Sequence, residues 1–558
     1  MSFVKSSSKK VILLVLDGLG IADANKGNAV KLAKTPNLTK LWNDHPHAQL
    51  QASGNFVGLP EGIMGNSEVG HMSLGAGKII FQEIARIDNS IKDKSFFDNK
   101  VFKEAVKHVK KNKSKLHLIG LVSHGRVHSS IDHLFACLEF AKKEDLKKDQ
   151  VLVHAFTDGR DSPPQSASTF FTFLDEKFKK VEVGRLASII GRYYSMDRDD
   201  RWVRTKLAYD LLTGAKGVKV KNWKEGIEKS YAAGVNDEYI KPMVIVKEDD
   251  PSQPMGVISD NDAVIFFNYR ADRALQLSQA FEKDNFKGWQ RNKLKNLFFV
   301  GFSNYEKGIP ITRSAEDVAV PGGESQFVKE NFAQELRKTA EGFPKNQIFP
   351  PEIIDKSLGQ VIADSGLSQL RISESEKFPH VTYFFSARNY DPFKNEIRIE
   401  IPSPTNVATY DLKPEMSTYE ITERTVKEID KEKFDFILVN FALTDMVAHT
   451  GSLKASIKAV EVADICMDNL VKGALAKDYN VLITADHGNI EELINLRTNE
   501  VDTQHSTNPV PFIFVNNNTS TETVKDLPPG MLVDLSPTVL DLMGIRLPDE
   551  MTGRSLLD

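Results

Sequence analysis

The stretch VILLVLDGLG (residues 11–20) sets the expected fold, because a run of apolar residues leads directly into an aspartate. The same form recurs in FDFILVNFALTDMVAHTG (434–451) and in YNVLITADHGN (479–489). Continuous apolar runs of this length are typical of strands covered on both faces, as in the parallel sheets of α/β proteins. Ligand sites in such sheets lie beyond the carboxyl ends of the strands. We therefore expect the acidic residues that follow these runs to converge on one rim of a sheet.

The aspartates that follow the three runs are Asp17, Asp445 and Asp486. Taken singly, each could be only a turn or helix N-cap residue, since Asp often follows a strand. Histidines near two of them favour a site instead. Asp445 and His449 are four residues apart, so one helical turn would place both on one face. Asp486 is followed directly by His487.

A further histidine, His505, lies in the polar stretch TQHSTNP. Carboxylates and imidazoles without cysteine suit Mn²⁺, Zn²⁺ or Co²⁺, with Mg²⁺ an option at an oxygen-rich subsite. The candidate ligands are too many for one tetrahedral ion: Asp17, Asp445, His449, Asp486, His487 and His505. They predict two divalent ions, an arrangement that clamps phosphoryl oxygens.

Ser67 lies in GNSEVGHMSLGAG (65–77), which is not the G-x-S-x-G elbow of α/β-hydrolases. We therefore do not interpret His71 as the base of a catalytic triad. One alternative is that Ser67 is only a helix N-cap. A helix N-terminus also attracts anions, and a serine beside a metal ion could be deprotonated and attack phosphorus. The second interpretation predicts that a metal ion activates Ser67.

The middle of the chain repeats another theme, in which a strand ends in arginine, histidine or aspartate. It occurs in LHLIGLVSHGRVHSS (116–130), QVLVHAFTDGRDSPP (150–164), VGRLASIIGRYYSMDRDDRW (183–202) and DAVIFFNYRADRALQLS (262–278). A lone surface arginine is usually a solvated charge, but four such strand ends favour a site. Guanidinium groups bind carboxylate and phosphate in bidentate fashion. This pattern predicts a site for a small, doubly anionic molecule.

The candidate ligand-binding residues of this tract are His128, Arg160, Asp161, Arg192, Arg198, Arg270 and Arg273. Arg270 and Arg273 are about one helical turn apart and could share a ligand. The metal candidates lie on both sides of the tract, so we predict that residues 82–305 form an inserted α/β substrate-binding domain. Residues 1–78 and 310–558 would form a discontinuous α/β metal-binding domain. The chain would cross between them near residues 77–82 and 305–310, and the turn-rich tract 310–349 would be a surface excursion.

Composition limits the other classes of function. The 558 residues carry a net charge of −4, which gives no support for a nucleic-acid partner. The two cysteines, Cys137 and Cys466, cannot form a disulfide framework and fit a reducing compartment. The apolar run VILLVL is too short for a signal-peptide core or a membrane span. We expect a cytoplasmic enzyme with a small-molecule substrate and no membrane partner.

A series of motifs then occurs in a specific order: VLDG, MGNSEVGHMSLGAG, SHGRVHSS, DGRDSPP, GRYYSMDRD, FFNYRADRA, SEKFPHVTYFF, VATYDLKPEMS, NFALTDMVAHTG, TADHGN and HSTNPVPF. Together they closely resemble the cofactor-independent phosphoglycerate mutases of the alkaline phosphatase-like superfamily, over nearly the whole chain. The resemblance implies a two-domain enzyme of glycolysis and gluconeogenesis that interconverts 3-phosphoglycerate and 2-phosphoglycerate. It also implies a monomer, two divalent ions (often Mn²⁺) and no requirement for 2,3-bisphosphoglycerate.

The resemblance implies a role for each candidate. One ion would be held by Asp445, His449 and His505, and the other by Asp17, Ser67, Asp486 and His487. Ser67 would carry the phosphoryl group as phosphoserine. Lys377, which spacing alone would suggest is a surface lysine, would stabilise charge during transfer and contact the substrate. The substrate would be held by His128, Arg160, Asp161, Arg192, Arg198, Arg270 and Arg273, with Asp161 shuttling a proton between the glycerate hydroxyls.

Two other hypotheses remain at this point. The first is a metal-dependent phosphatase or phosphopentomutase of the same superfamily, which would share the Asp/His motifs but not the long arginine-bearing insert. The second is a noncatalytic protein that binds metal or a phosphometabolite, which would be expected to have lost a ligand or the nucleophile. Formation of 2-phosphoglycerate, of free phosphate or of no product would distinguish these hypotheses.

Overall fold

A computed structural model of the protein describes residues 9–305, 343–350, 352, 354–518 and 526–557. The chain forms two compact units. The first unit comprises Met1–Gln82 and Glu352–Asp558, and the second comprises Glu83–Pro351. Within the described ranges, no helix is both long and apolar enough to cross a membrane.

The described strands, in chain order, are β1 (Val11–Leu16), β2 (His47–Gln51), β3 (Leu116–Leu121), β4 (Val151–Thr157), β5 (Arg185–Gly191), β6 (Val218–Val220), β7 (Met243–Ile245), β8 (Ala263–Phe266), β9 (Phe298–Gly301), β10 (Asn346–Gln347), β11 (Gln369–Glu374), β12 (Glu396–Ile401), β13 (Phe436–Phe441), β14 (Asn480–Thr484), β15 (Val510–Val515) and β16 (Gly530–Met531). The described α-helices are α1 (Ala29–Leu32), α2 (Pro36–Asp44), α3 (Ser67–Ala76), α4 (Glu83–Lys92), α5 (Lys100–Asn112), α6 (Ile131–Lys143), α7 (Ala167–Val181), α8 (Arg192–Ser195), α9 (Trp202–Gly214), α10 (Trp223–Ala232), α11 (Leu275–Glu282), α12 (Leu358–Asp364), α13 (Thr418–Asp430), α14 (Leu443–Ala448), α15 (Leu453–Leu475) and α16 (Leu535–Met543).

The first unit contains an eight-stranded sheet in the order β12–β11–β13–β1–β14–β15–β2–β16. Strands β12, β11, β13, β1 and β14 are mutually parallel, and β15 is antiparallel to its neighbours β14 and β2. All six residues of β1 are buried. This burial confirms that the run VILLVL is a strand covered on both faces, because it lies between two other buried strands.

The second unit contains another eight-stranded sheet, in the order β10–β9–β8–β3–β4–β5–β7–β6. Strands β10, β9, β8, β3, β4 and β5 are parallel, whereas β7 and its parallel neighbour β6 run in the opposite direction. The predicted strands before the arginine-bearing segments correspond to β3, β4, β5 and β8. The expected α/β class with parallel-rich sheets is therefore confirmed for both units.

The boundary between the units differs from the expectation at the second crossing. The first crossing lies between Gln82 and Glu83, next to the expected 77–82, whereas the second lies at Pro351–Glu352 instead of 305–310. Residues shortly before this boundary belong to the second unit because β10 pairs with β9 and because Ile348 and Phe349 pack in its core. Most of the tract 310–349, predicted to be a surface excursion, lies outside the described residues.

Candidate metal centre and arginine-lined site

The metal candidates are positioned by the order of the strands in the first unit. β1 lies between β13 and β14, with Val15 paired to Asn440 on one side and to Thr484 on the other. The residues that follow these three strands therefore meet at one edge of the sheet. Gly18, directly after Asp17, has a φ of +71°, and a Cβ atom there would lie 2.8 Å from the Asp445 Cβ atom. Glycine at this position allows the two chain segments to approach.

Asp445, His449 and His505 form one candidate metal site, the outer group. The His449 and His505 Nε2 atoms lie 3.0 Å apart and are 3.3 and 3.4 Å from Asp445 Oδ1. Asp445 lies in helix α14, and His449 is the C-cap residue of that helix. The two residues are therefore about one helical turn apart and share one face. The outer group reaches the surface, since the His449 side chain is 40% exposed.

Asp17, Asp486 and His487 form the second candidate site, which together with Ser67 we call the inner group. Asp17, Asp486 and His487 are fully buried. Ser67 Oγ lies 2.9 Å from His487 Nε2 and 3.4 Å from Asp17 Oδ1. The inner and outer groups adjoin, because the His487 and His505 rings stack with centroids 3.9 Å apart.

The three histidines of these groups are oriented in the same way. Nδ1 of His449, His505 and His487 lies 2.9, 2.8 and 3.3 Å from a backbone carbonyl oxygen of Thr503, Gly65 and Gly488, respectively. An Nδ1–H that donates to a carbonyl leaves Nε2 as the nitrogen with the free lone pair. Each Nε2 faces its candidate site, which is the orientation that metal-ligating histidines adopt. The donor atoms thus fit a pair of divalent ions.

Ser67 is the first residue of helix α3. The N-cap is Asn66, whose side chain accepts a hydrogen bond from Val69 N, so the alternative that Ser67 is the N-cap is wrong. His71 Nδ1 lies 3.0 Å from the backbone carbonyl oxygen of Ser67. The structure thus does not place His71 as a triad base for the Ser67 hydroxyl, because the imidazole contacts the carbonyl group instead.

Lys377 is buried between the two groups. Its ammonium nitrogen lies 2.7 Å from Asp17 Oδ1, 2.7 Å from Ser67 Oγ and 2.6 Å from Asp445 Oδ2. Its side chain is only 5% exposed, so the interpretation from spacing alone, a surface lysine, is wrong. Burial opposes the charge on Lys377, but the neighbouring carboxylates outweigh it and raise the pKa of the ammonium. Lys377 is therefore a resident cation in contact with Ser67.

The carboxylates of the two groups differ in their electrostatics. Burial and the nearby Asp486 raise the pKa of Asp17. The pKa of Asp445 is lowered even though burial opposes this, because Lys377 and the two histidines of the outer group favour its charged form. Three carboxylates with almost no solvent exposure thus share one ammonium group. Such an excess of buried negative charge is expected where cations bind.

The arginine-lined site of the second unit lies at the carboxyl ends of β3, β4, β5 and β8. It contains His128, Arg160, Asp161, Arg192, Arg198, Arg270 and Arg273. Arg192 is buried at its centre, where it forms ion pairs with Asp158 and Asp161. Burial lowers the pKa of Arg273, and Arg198, Arg192 and Arg160 lower it further. The positive charges of Arg198, Arg192 and Arg160 therefore act on the Arg273 guanidinium group.

His128 lies among the same charges. Its Nδ1 is 3.5 Å from Asp272 Oδ1, and its Nε2 is 3.9 Å from Asp161 Oδ2. Burial, together with the positive charge of Arg192, lowers the pKa of His128 to about 4. His128 is therefore neutral at pH 7 and can both donate and accept a hydrogen bond.

Three acidic residues of this site were not among the sequence candidates. Asp158 accepts hydrogen bonds from Ser123 Oγ and from the backbone nitrogens of the Arg160–Asp161 turn. Asp272 pairs with Arg198 and Arg270, and Glu238 lies 3.6 Å from Arg160. Asp158 follows β4 directly, and this position was a signal that could have identified it. Glu238 carries no comparable sequence signal because it lies in a short 3-10 helix (Asp237–Tyr239) and does not directly follow a strand.

Comparisons with known proteins extend over both units. A family model described as BPG-independent PGAM N-terminus (iPGM_N) matches residues 87–307. A 2,3-bisphosphoglycerate-independent phosphoglycerate mutase of Clostridium acetobutylicum is 44% identical over 555 residues, which cover 99% of this chain and 100% of the relative. The 2,3-bisphosphoglycerate-independent phosphoglycerate mutase 1 of Methanosarcina acetivorans is 46% identical over 550 residues and 98% of each chain.

A solved structure of Leishmania mexicana phosphoglycerate mutase, determined at low cobalt concentration, is also similar. It is 28% identical in sequence, with a TM-score of 0.59, and the match covers 99% of this chain and 98% of that chain. The matches in sequence and in fold therefore span the segments that carry the metal candidates as well as the arginine-bearing segments.

Proposed function

The chain belongs to the 2,3-bisphosphoglycerate-independent phosphoglycerate mutases, and from this premise we propose that it interconverts 3-phosphoglycerate and 2-phosphoglycerate through a phosphoserine on Ser67. The name shared by its full-length relatives favours this activity over the phosphatase, phosphopentomutase and noncatalytic alternatives. The observation that carries the phosphoserine proposal is the environment of the Ser67 hydroxyl. It is buried, begins a helix, and lies within 2.9 Å of both Lys377 Nζ and His487 Nε2.

The proposed ligands follow the two groups. The outer group (Asp445, His449 and His505) would hold one divalent ion, and the inner group (Asp17, Ser67, Asp486 and His487) would hold the other. Divalent ions supply Lewis-acid charge there, which favours the deprotonated serine and neutralises phosphoryl oxygens. The carboxylate and imidazole ligands are compatible with Mn²⁺, Co²⁺ and Zn²⁺, and we propose Mn²⁺.

Ser67 Oγ would attack the phosphorus of the bound phosphoglycerate, forming phosphoserine and releasing a glycerate oxygen. Lys377 would neutralise the negative charge that develops on the phosphoryl oxygens, because its ammonium group already contacts Ser67 Oγ. The other glycerate hydroxyl would then attack phosphoserine and regenerate Ser67. The reaction needs no second phosphorylated sugar acid, because the enzyme itself carries the phosphoryl group between the two hydroxyls.

The arginine-lined site would bind the carboxylate and phosphate of the substrate. Guanidinium groups from several loops offer bidentate hydrogen bonds to both anions. Asp161 would move a proton between the two glycerate hydroxyls, since its carboxylate lies beside both Arg192 and the neutral His128. Retention of glycerate by these side chains would separate a mutase from a phosphatase.

The test is a turnover assay on the purified full-length chain, stripped of metal and then supplied with Mn²⁺. The assay contains 3-phosphoglycerate and no 2,3-bisphosphoglycerate, and both 2-phosphoglycerate and free phosphate are followed. We expect Mn²⁺-dependent 2-phosphoglycerate with little free phosphate. Free phosphate alone would indicate a phosphatase, and no product with any divalent ion would indicate a binding protein.

The phosphoserine is tested by Ser67→Ala, with Ser73→Ala as the matched control in the same helix. Both serines are buried in α3. Of the two, only Ser67 has hydrogen bonds to Asp17 and His487 in the described part of the chain. We expect Ser67→Ala to lose on the order of 10⁴-fold or more in turnover, while Ser73→Ala stays active. Substantial mutase activity in Ser67→Ala would contradict Ser67 as the phosphoryl carrier. The monomeric state and the cytoplasmic location remain proposals.

A further inference from the structure

His71 is a fully buried residue of α3 to which the proposed reaction gives no role. Its Nδ1 lies 3.0 Å from the Ser67 carbonyl oxygen and 3.1 Å from Asp486 Oδ2. Its Nε2 lies 3.2 Å from the side-chain nitrogen of Asn440. The amide nitrogen of Asn440 can only donate, so Nε2 accepts and Nδ1 carries the imidazole hydrogen.

Asn440, also fully buried, extends this connection to Asp17. Its side-chain nitrogen donates to Asp17 Oδ2 at 2.7 Å, in addition to its contact with His71. The other Asp17 oxygen, Oδ1, faces Ser67 Oγ and Lys377 Nζ. Both amide hydrogens of Asn440 are therefore used, one for each partner.

Hydrogen bonds connect Asp17 through Asn440 and His71 to the Ser67 carbonyl oxygen, and Asp486 Oδ2 lies 3.1 Å from His71 Nδ1. Three of the four members of the inner group thus contact this one pair of side chains. The backbone is shaped for the contact, because a Cβ atom on Gly70 would lie 2.5 Å from the Asp486 carbonyl oxygen. Glycine at residue 70 lets α3 approach Asp486 closely enough for the adjacent His71 to reach it.

We propose that His71 and Asn440 are positioning residues that preset the inner group for its divalent ion. Asn440 holds Asp17 Oδ2 and so leaves Oδ1 facing Ser67 and Lys377. His71 lies against Asp486 Oδ2, whose partner oxygen Oδ1 accepts a hydrogen bond from Gly18 N. The inference rests on the metal site of the proposed function. Groups of this kind behind a metal ligand typically contribute about 10- to 100-fold to metal affinity.

The outer group has its own counterpart, which permits a paired test. The Asn489 side-chain nitrogen donates to Asp445 Oδ1 at 2.7 Å. In the described residues, the Asn489 side chain has no hydrogen bond to Asp17 or Asp486, and neither His71 nor Asn440 has a side-chain hydrogen bond or ion pair with the outer group. Substitutions of His71 or Asn440 should therefore weaken the binding of one ion, and substitution of Asn489 the binding of the other.

The experiment is a calorimetric titration of the metal-free full-length chain with Mn²⁺ alone. We expect wild type to bind two Mn²⁺ ions, and His71→Phe to weaken one of the two steps by about 10- to 100-fold. Asn440→Leu should weaken the same step, and Asn489→Leu the other. If Asn489→Leu weakened the same binding step as His71→Phe or Asn440→Leu, the proposal would be overturned.

The matched control is His380→Phe. His380 is half-buried, with its ring centroid 5.7 Å from that of His71, and it has no hydrogen bond to a candidate ligand in the described residues. His380→Phe removes an imidazole from this region but no hydrogen bond to a candidate ligand. Both Mn²⁺ affinities should therefore be unchanged. A loss in His380→Phe equal to that in His71→Phe would assign the effect to packing and overturn the proposal.

His71→Asn provides a rescue, because its amide can replace the Nδ1–H donor. We expect an Mn²⁺ affinity between those of His71→Phe and wild type, and this variant serves if His71→Phe does not fold. Unchanged Mn²⁺ binding in His71→Phe would overturn the positioning role while leaving the metal site intact. If wild type binds no Mn²⁺, the metal site of the proposed function fails instead, so the two failures are distinguishable.

Discussion

The inner group and the arginine-lined site occupy equivalent places in two different sheets. Both lie where parallel strands end, and both gather charged side chains from distant parts of the chain. The aspartates and histidine of the inner group are fully buried. By contrast, the side chains of Arg160, Arg198 and Arg270 are 53%, 46% and 50% exposed.

This contrast in exposure matches the two ligands proposed. A buried set of carboxylates held by fixed hydrogen bonds is preorganised for ions that stay in place. Exposed guanidinium groups on long side chains, paired loosely with acids, suit an anion that must enter and leave. Arg192 is the exception in its site, since its side chain is only 2% exposed. Substituting charged residues of the two sites one at a time shows whether burial or charge explains the difference between the sites.

The largest expected effect comes from Arg192→Met. This change leaves Asp158 and Asp161 without their buried cation, and such a loss typically destabilises a protein by about 3–5 kcal/mol. Urea unfolding followed by tryptophan fluorescence measures it well, since Trp202, Trp223 and Trp289 all belong to the second unit. Arg185→Met is the control: Arg185 pairs with Asp149 at the surface, and its loss should change stability by less than about 0.5 kcal/mol. Equal losses of stability in the two variants would contradict the conclusion that the buried ion pairs of Arg192 stabilise the protein.

The next effect is expected for Lys377→Met. Loss of the ammonium group that contacts Ser67 should lower kcat by about 10²- to 10³-fold. Mn²⁺ affinity should be unchanged or tighter, because a positive charge beside the candidate ions has been removed. Steady-state kinetics and Mn²⁺ titration check the two halves of this prediction. Lys78→Met, which removes a lysine paired with Glu352 in the same unit, should alter neither.

A smaller effect is expected for Arg160→Met, at the exposed edge of the arginine-lined site. Loss of one charged hydrogen-bond donor should raise KM for 3-phosphoglycerate by about 10- to 100-fold, with little change in kcat. Arg201→Met is the control, because Arg201 is also exposed and pairs with Asp199. A fall in kcat without a rise in KM would show that Arg160 acts in the transition state and not in capture of the substrate.

The smallest effect is the pH dependence of Mn²⁺ binding at the outer group. Hydrogen bonding to Asp445 raises the pKa of His449, and Asp445 also raises the pKa of His505 although burial opposes it. Protons therefore compete with Mn²⁺ at a higher pH than for a free imidazole, and the affinity should fall as the pH is lowered. Between pH 8 and pH 7 we expect a fall of less than about tenfold. Mn²⁺ titrations at both pH values measure it, and an affinity that rises at pH 7 would contradict the sign.

His128 should behave differently over the same interval. Because burial and Arg192 lower its pKa to about 4, it stays neutral between pH 7 and pH 8. The His128→Asn variant should therefore show the same pH dependence as wild type for Mn²⁺ binding in this range. The comparison separates the titrating outer group from the neutral histidine of the arginine-lined site.

Much of this arrangement could be predicted from local patterns. Asp17 and Asp486 were predictable as rim residues because each follows a continuous apolar run, and such runs form β1 and β14. Asn440 was not predictable in this way. It is a polar residue inside the apolar strand β13, and its use depends on β1 lying alongside, which no local pattern encodes.

Lys377 shows the other limit of a reading from sequence spacing. A lysine in a charged stretch is usually solvated, and only the convergence of Asp17, Asp445 and Ser67 explains its burial. The second crossing between the units was missed for a similar reason. Phe349 belongs to the core of the second unit through contacts with residues far away in the sequence.

The position of β1 between β13 and β14 also has a consequence for biosynthesis. Asp17 and Asn440, which contact each other, are separated by 423 residues. At translation rates of about 5–20 residues per second, β1 leaves the ribosome roughly 20–80 seconds before its neighbour β13. The second unit, continuous in sequence, can fold during that interval, whereas the apolar β1 waits unpaired. A chain terminated before β13 would therefore contain Asp17 and Ser67 but lack Asp445, Asp486 and His487, so phosphoryl transfer becomes available only when translation is nearly finished.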